Sequence, residues 1–418
     1  MVSATLQCSL MDILFVHQNF PAQFVHVARA LNARPGLRVA AISHKANEQK
    51  DFLPGARYGW ESKRAGTPNQ IAANFALRAS QGRMAAKAMM ALRDRGFNPK
   101  LIVGHLGWGE TLFAKDVFPD ATLAVHAEFF YSATGADVGF DPEFSDSGVE
   151  RRFELRAKNA AILAAMNDAD FAVVPTRWQA SRFPTYLLSK LNVIHEGIDT
   201  NLVRPNPAAT FRVAGTDLAF KAGDEVLTFV NRNLEPYRGY HIFMRALPAI
   251  LAERPGAHAV IVGGDSVSYG AAAPQGQSWK EIFLSEVHGR LPLERVHFVD
   301  RIPFSDFVSL MQVSAAHIYL TYPFVLSWSM LQAMSAGAPL IASSTAPVVE
   351  VVQDGVNGVL VDFFAAEALA HRVIDVLAHP ADYTAMREAA RRTIVESYDL
   401  DSRCLPRWLD LLGNPGSQ

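Results

Sequence analysis

Residues 226–239 read VLTFVNRNLEPYRG, and the fold of the chain can be worked out from this stretch. Its first five residues are apolar or β-branched without alternation, which is typical of a parallel strand covered on both faces. Arg232 and Arg238 follow that strand, just before a predicted helix at Tyr240–Glu253. A guanidinium group is always charged and offers a planar fork of donors that suits phosphate. The two arginines can hold a diphosphate, or they can be solvated loop residues, and this stretch alone leaves both interpretations open.

The same pattern of a short apolar strand followed by a helix continues in both directions. In the second half we predict strands at Val226–Val230, His258–Gly263, Val296–Val299, His317–Thr321, Pro339–Ala342 and Val359–Val361. Helices are predicted there at Tyr240–Glu253, Phe304–Val313, Ser329–Ala336 and Ala365–Ala378. In the first half the predicted strands are Ile13–Val16, Arg38–Ser43, Leu101–Gly104, Thr122–Val125, Phe171–Pro175 and Asn192–His195. Predicted helices between them include Gln23–Arg34, Ile71–Arg95 and Arg151–Asn167.

Two successive strand–helix arrays of similar size predict an α/β fold with two doubly wound, Rossmann-like domains. We expect the first domain at residues 1–207 and the second at 225–395, joined by a polar linker at 208–224. A final helix within 396–418 is expected to pack back on the first domain. Ligands of such sheets bind at the carboxyl ends of the strands, so a cleft between the two facing domains is the expected active site.

The composition excludes several classes of protein. Half of the 418 residues are hydrophobic and 19% are charged, which is typical of a folded chain. The formal net charge of −2 provides no global basic field, so no nucleic-acid partner is expected. Two cysteines, Cys8 and Cys404, are too few for a disulfide framework, and no run of about 18 apolar residues occurs. We expect a cytoplasmic protein without a transmembrane segment, leave contact with the inner face of the membrane open, and keep Met11 as an alternative start to Met1.

A second informative stretch, YPFVLSWSMLQAMSAGAP, spans residues 322–339. A predicted strand precedes it, and a helix begins after a loop that contains Ser327 and Ser329. Serine is favourable before a helix, and the free N–H groups of a first helical turn attract anions. Gly337 is a suitable residue to end the helix. Gln332 lies three residues after Ser329 on the same face and can reach a ribose hydroxyl. The alternative is a capped helix that binds no ligand.

In this order and at this separation, the two stretches resemble the retaining nucleotide-sugar glycosyltransferases of family 4, group 1, which have the two-domain GT-B fold. Arg232 and Arg238 match the Arg and the Lys of the family pattern G-R-L-x-x-x-K-G, with arginine in place of the lysine. Pro347–Gly358 is similar to the family's P-E-V-V-x-D-G-x-x-G, and Val193–Thr200 (VIHEGIDT) to its V-I-P-N-G-V-D-T. Gly263 matches the glycine turn of the second domain. The resemblance extends over roughly the whole chain and is specific in its C-terminal half.

The resemblance implies a donor site in the second domain, where the two arginines hold the diphosphate of a nucleotide sugar. The donor-binding residues implied are Arg232, Arg238, Ser327, Trp328, Ser329, Gln332, Glu350 and Gly263. Two positions depart from the family's E-x7-E pattern, because Phe324 and Gln332 stand where its glutamates would be. Phenylalanine cannot hydrogen-bond to a sugar, whereas glutamine keeps a neutral acceptor. The identity of the donor sugar and the level of activity therefore depend on these two residues.

Polar side chains also follow the predicted strands of the first domain. His17, Gln18 and Asn19 come after the first strand, at the position of the family's first loop, whose glycines are missing here. His105 follows another strand, and Glu128 lies just beyond the strand Thr122–Val125. These five residues are predicted to line the acceptor side of the cleft, with plain loop or cap residues as the alternative. The irregular segment 135–148 is either an acceptor-binding loop or a surface loop.

His126 is the predicted catalytic residue of the first domain, because it matches the family's histidine that contacts the donor sugar. Arg232 and Arg238 are the catalytic residues of the second, since they would neutralise the leaving diphosphate. The resemblance implies retention of anomeric configuration by a front-face route without a side-chain nucleophile. No metal and no cofactor beyond the nucleotide sugar are expected. The acceptor is open among saccharides, lipid-linked sugars, proteins and small molecules. The alternatives are a catalytically weakened sugar-nucleotide-binding protein and a GT-B epimerase.

Overall fold

The computed structural model describes residues 11–49, 52–59, 70–144, 148–274 and 276–413. The contacts between these residues divide the chain into two units. The first unit contains the described residues up to 133, those between 148 and 196, and 404–413. The second unit contains 134–144 and the described residues between 197 and 403. None of the described helices is both long and apolar enough to cross a membrane.

The first unit is built on one parallel sheet. Its strands are β1 (Met11–Val16), β2 (Leu37–His44), β3 (Gly55–Tyr58), β4 (Pro99–His105), β5 (Thr122–His126), β6 (Phe171–Val174) and β7 (Leu191–Val193). Its first helices are α1 (Val25–Asn32), α2 (Gln70–Arg93), α3 (Ala114–Val117), α4 (Val149–Asp168) and α5 (Arg177–Ser181). The strand order is β3-β2-β1-β4-β5-β6-β7. Leu14 packs in the core on one face and Phe15 in the core on the other, because successive side chains of a strand point to opposite faces.

The second unit repeats this plan after a short hairpin. Its strands are β8 (Thr210–Arg212), β9 (Ala219–Lys221), β10 (Val226–Asn233), β11 (His258–Gly264), β12 (Val296–Val299), β13 (Ala316–Tyr319), β14 (Leu340–Ser343) and β15 (Val359–Val361). Its helices are α6 (Tyr240–Glu253), α7 (Trp279–Val287), α8 (Phe304–Val313), α9 (Trp328–Ala336), α10 (Ala346–Val349), α11 (Ala366–Ala378) and α12 (Thr384–Ser397). The parallel sheet has the order β12-β11-β10-β13-β14-β15. The chain order reverses between β10 and β13, which is where open α/β sheets bind ligands.

The last described helix, α13 (Leu405–Gly413), belongs to the first unit. Its Trp408 and Leu412 are buried in the same cluster as Ile13 and Phe15 of β1. The Arg407 side chain also donates to a backbone oxygen at the end of β7. The first unit is thus completed by residues that follow the whole of the second unit along the chain.

Residues 208–224 are not a linker, which corrects the prediction from their polar composition. They contain the antiparallel pair β8–β9, in which Phe211 lies opposite Phe220. Both phenylalanines are buried in the core of the second unit. Each strand has three residues and buries only its middle one, so the segment is too short for a period to show in the sequence. Residues 197–207, predicted to lie in the first domain, also belong to the second unit, where Val203 is buried in the same core.

The other predicted strands and helices correspond to observed elements with ends that differ by a few residues. The predicted helix Gln23–Arg34 is shorter, because a 3-10 turn at Ala22–Phe24 precedes α1. Besides the β8–β9 hairpin, six observed elements match no strand or helix named from the sequence: β3, α3, α5, α7, α10 and α12. The start of α7 carries a recognisable signal, since Ser278 and Glu281 form a capping box.

Candidate functional site

Arg238 lies in a tight turn at the carboxyl end of β10. A 3-10 turn at Pro236–Arg238 leads into Gly239, whose φ of 70° is in the left-handed region. A Cβ atom at Gly239 would lie 2.3 Å from the Cβ of Leu320, so only glycine fits here. The turn places Arg238 inside the unit, where its side chain is buried.

The Arg238 guanidinium joins the loop after β10 to the loop after β13. Its Nη1 donates to Thr321 Oγ1 at 2.6 Å, to the carbonyl oxygen of Val325 at 3.2 Å and to the Tyr319 hydroxyl at 3.3 Å. The backbone N–H of Ser327 donates to the same hydroxyl at 2.9 Å. Since β10 and β13 are neighbours in the sheet, the two stretches singled out in the sequence meet at one tyrosine oxygen.

Helix α9 is capped at both ends in the way the sequence predicts. Ser327 Oγ accepts a hydrogen bond from the Ser329 N–H, and the two serine hydroxyls lie 2.8 Å apart. Gly337 ends the helix in the left-handed conformation with φ of 81°. Trp328 and Gln332 are half-buried on the first two turns. The N-terminus of α9 therefore lies beside Arg238, one of the two arginines predicted to hold the diphosphate.

The remaining predicted donor residues differ in their surroundings. The Arg232 side chain is exposed and makes no hydrogen bond or ion pair within the part of the chain that the structure describes. Gly263 lies near the end of β11, where a Cβ atom would come within 2.8 Å of the Leu234 side chain. Glu350 follows α10 and is half-buried. The structure thus brings Arg238 and the α9 terminus together and leaves Arg232 facing solvent.

Phe324 is buried among aromatic rings at the same sheet edge. Its ring centroid lies 5.1 Å from that of Tyr237 and 5.2 Å from that of Tyr269. The Arg238 guanidinium carbon lies 5.0 Å from the Tyr269 ring centroid and 6.0 Å from that of Phe324. The position that glutamate occupies in the family pattern is therefore part of a cluster of aromatic rings, and the Arg238 guanidinium lies over two of these rings.

Glu235 also lies at the carboxyl end of β10, between the two arginines in the sequence, but it is not among the predicted site residues. Its carboxylate is buried and accepts hydrogen bonds from the backbone N–H groups of Ser268, Tyr269 and Gly270 at 3.1–3.4 Å. Burial raises its pKa and outweighs these N–H groups, which lower it. Glu235 holds residues 268–270 beside the end of β10.

The described part of segment 135–148 packs on the second unit, through Asp141. Asp141 is buried, and its Oδ2 lies 3.1 Å from His241 Nε2 and accepts a 2.7 Å hydrogen bond from the Tyr322 hydroxyl. Burial alone would raise the pKa of Asp141, but these contacts outweigh it and the pKa is lowered. At the surface, Glu143 forms a two-point ion pair with Arg245. Its described residues therefore belong to the second unit and not, as the sequence predicts, to the first domain.

In the first unit, three predicted histidines lie side by side. His17, His105 and His126 end or follow β1, β4 and β5, which are consecutive in the sheet. The ring centroids of His17 and His105 are 5.1 Å apart, and those of His105 and His126 are 5.5 Å apart. All three side chains are buried. Burial lowers the pKa of His17 well below its usual value.

The other predicted residues of this edge surround the histidines. Glu128 Oε2 lies 3.5 Å from His105 Nε2, and Glu128 Oε1 accepts a 3.1 Å hydrogen bond from Gln23. His17 Nδ1 accepts from the backbone N–H of Asn19, whose side chain is exposed. Gln18 is half-buried, and its carbonyl oxygen accepts from the backbone N–H of His44.

One further glutamate and one further histidine, neither of them among the predicted site residues, complete this group. His126 Nε2 and Glu196 Oε1 are 2.7 Å apart, and His195 Nε2 lies 3.5 Å from Glu196 Oε2. Trp408 of α13 stacks on His126 with an angle of 7° between the rings. The only sequence signal was the pair His-Glu within VIHEGIDT, where the family pattern has Pro-Asn. Within the described residues, no group of three or more His, Cys, Asp and Glu side chains is arranged to hold a metal ion.

The two carboxylates of this group predict a loss of stability in acid. Burial raises the pKa of both Glu128 and Glu196, but the neighbouring histidines outweigh it and lower each pKa to about 2. Because each folded pKa lies below the usual value of 4.5, their contribution to stability is complete above that pH and is lost as the pH falls towards 2. Thermal unfolding followed from pH 6 to pH 3 should show this decline. Glu128→Gln should flatten it, and an equally steep decline in that variant would contradict the assignment.

Comparison with known proteins places both halves of the chain in glycosyltransferase families. Residues 35–203 match the family described as "Glycosyl transferase family 4 group". Residues 216–393 match the family described as "Glycosyl transferases group 1". Together the two matches cover more than four fifths of the chain.

Individual relatives agree with these matches. A D-inositol 3-phosphate glycosyltransferase of Segniliparus rotundus is 25% identical over 231 residues, which are 53% of this chain and 47% of that protein. The enzyme of the same name from Mycobacterium tuberculosis is 26% identical over 216 residues, 50% of this chain and 42% of that protein. The chain thus spans about half the length of the curated relatives it matches.

Solved structures share the fold over nearly the full length. Anabaena Alr3699/HepE in complex with UDP has a TM-score of 0.67 at 16% identity, covering 97% of this chain and 100% of that one. Sucrose-phosphate synthase from Thermosynechococcus elongatus has a TM-score of 0.70 at 16% identity, covering 97% and 99%. These likenesses, with two parallel Rossmann-like sheets, show a GT-B fold. The chain belongs to the glycosyltransferases of family 4, group 1.

Proposed function

We propose that the chain transfers a sugar from a UDP- or GDP-linked donor to an acceptor hydroxyl, with retention of anomeric configuration. Membership of a glycosyltransferase family supports the reaction class. The HepE structures that share the fold contain UDP or UDP-glucose, which makes UDP the first nucleotide to test here. Two cysteines in 418 residues support action in the cytoplasm.

The observation that carries this proposal is the junction at the Tyr319 hydroxyl. This hydroxyl contacts both the Arg238 guanidinium and the N-terminus of α9. The contacts lie at the carboxyl ends of β10 and β13, the two strands between which the strand order of the sheet changes direction. A buried cation and a helix N-terminus both favour a diphosphate. Negative charge grows on the departing nucleotide in the transition state, so fixed positive charge at this place lowers the barrier. We assign the second unit to the donor, and Arg232 and Arg238 to its diphosphate.

In the first unit we assign His126 to the transferred sugar. His17, His105 and Glu128 lie beside it at the same strand ends and supply donors and acceptors for hydroxyl groups. Gln18 and Asn19 belong to the adjoining loop. Phe324 offers no carboxylate, which agrees with a front-face route that needs no nucleophilic side chain.

Calorimetric titration with UDP, GDP and their sugar conjugates tests the donor assignment, using the wild type and Arg232→Ala/Arg238→Ala. One nucleotide should bind the wild type, and the double variant should lose several kcal/mol of binding free energy. Transfer to a panel of acceptors, followed by NMR of the new anomeric proton, then tests the reaction and its stereochemistry. Equal binding by both proteins would refute the diphosphate site. Binding without transfer would favour the sugar-nucleotide-binding alternative, and release of nucleotide with an altered sugar would favour an epimerase.

A further inference from the structure

The buried pair of His126 and Glu196 has a geometry that fixes one ring nitrogen. The Nε2 of His126 lies 2.7 Å from Glu196 Oε1, and both side chains are almost fully buried. An ionised carboxylate can only accept hydrogen bonds, so Nε2 must carry the proton that joins them. The other nitrogen, Nδ1, is buried and makes no hydrogen bond to any residue that the structure describes.

Neighbouring groups hold both members of this pair in place. The second carboxylate oxygen of Glu196 lies 3.5 Å from His195 Nε2, so the carboxylate is held between two imidazole rings. Trp408 stacks on His126 with ring centroids 6.3 Å apart, while its indole N–H donates to the His195 carbonyl oxygen at 3.2 Å. Phe24 approaches the edge of His126 in a T-shaped contact. The ring plane and the partner of Nε2 are therefore set by packing from several elements of the first unit.

We propose that Glu196 is a positioning residue that keeps His126 protonated at Nε2, so that Nδ1 is left as the hydrogen-bond acceptor of the ring that we assign to the transferred sugar. This inference rests on the proposed function only for the identity of the substrate. A buried acceptor without a partner is unfavourable, so a hydroxyl that donates a hydrogen bond to it removes that penalty. Without Glu196 nothing fixes the proton at Nε2, and both tautomers of the ring would be populated.

The tautomer can be read directly by NMR of the full chain with 15N-labelled histidine. The His126 signals are assigned as those that disappear in His126→Gln. The wild type should show a protonated Nε2 and a nitrogen of the acceptor type at Nδ1. Glu196→Leu removes the acceptor and should give mixed tautomers, whereas Glu196→Gln keeps an oxygen acceptor and should restore the wild-type signals. Glu128→Gln, which changes the carboxylate beside His105, is the matched control and should leave the His126 signals unchanged.

Kinetics provide a second readout. Glu196→Leu should lower kcat by roughly 10- to 100-fold with little change in the donor KM, and Glu196→Gln should recover most of that loss. A role confined to stability would lower the amount of folded enzyme but would leave the tautomer and the kcat of the folded fraction unchanged.

The outcomes separate the two proposals. Wild-type tautomer signals in folded Glu196→Leu would overturn the positioning role, whatever the activity. If Glu196→Leu does not fold, a change in the His126 tautomer of Glu196→Asp, whose carboxylate is one methylene shorter, supports the role, and unchanged signals overturn it. If Glu196→Leu shows mixed His126 tautomers and the wild type transfers no sugar, the positioning role is supported and the proposed function is rejected.

Discussion

Arg238→Ala is expected to weaken nucleoside diphosphate binding by roughly 100-fold and to lower kcat/KM by up to about 1000-fold. Arg238 is buried at the end of β10 and its Nη1 contacts three groups of the β13–α9 connection. Removing it deletes the fixed charge and releases the loop that begins α9. Titration calorimetry and initial rates measure the two effects.

Two control variants separate charge from geometry. Arg238→Lys keeps one positive charge, as the family pattern does, but loses the planar fork that bonds several oxygens at once, so it should bind more weakly than wild type and better than the alanine variant. Arg232→Ala removes an exposed side chain that makes no hydrogen bond or ion pair with the described residues, so it should leave thermal stability unchanged. Nucleotide affinity in Arg238→Ala equal to that of wild type would rule out a diphosphate role for this residue.

Asp141→Ala is expected to lower the free energy of unfolding of the second unit by about 3 kcal/mol. The change leaves His241 and the Tyr322 hydroxyl buried without the carboxylate that both contact. The urea midpoint, followed by Trp fluorescence and far-UV circular dichroism, measures the loss. Because the folded pKa of Asp141 is lowered, its contribution is present at neutral pH and is lost as the pH falls below its usual value of 3.8. The difference between wild type and variant should therefore shrink in acid.

The matched control is Glu143→Gln, two residues away on the same segment. It breaks an exposed ion pair with Arg245, and such pairs contribute at most about 1 kcal/mol. Tyr322→Phe removes only the hydroxyl and should fall between the two. Equal midpoints for Asp141→Ala and Glu143→Gln would mean that the buried carboxylate does not anchor this segment.

Sequence patterns predicted the strands and the helix ends, because these depend on residues that are close together in the chain. The unalternated apolar run at 226–230 identified a strand buried on both faces, and Ser327 and Gly337 identified the ends of α9. Strand-end histidines could be named, but their proximity depends on the sheet order β1-β4-β5, which the sequence does not state. The roles of the site residues are predictions that the binding and kinetic measurements test.

The missed features depend on contacts between distant residues or on very short elements. Glu196 contacts His126 across 70 positions of sequence, and Asp141 contacts Tyr322 across 181. Neither pair lies on one helix or hairpin, so no periodicity indicates it. The sequence of the β8–β9 hairpin is typical of a linker, because its two three-residue strands bury a single phenylalanine each.

Helix α13 has a consequence for how the protein is made. A ribosome synthesises residues 405–413 only after every residue of the second unit, yet Trp408 and Leu412 fill the core beneath β1 and Trp408 stacks on His126. Until residues 405–413 leave the ribosome, the first unit therefore exposes that apolar face, a state that invites aggregation or chaperone capture. A premature stop codon anywhere before Leu405 would thus leave the first unit, which is synthesised first, without part of its core.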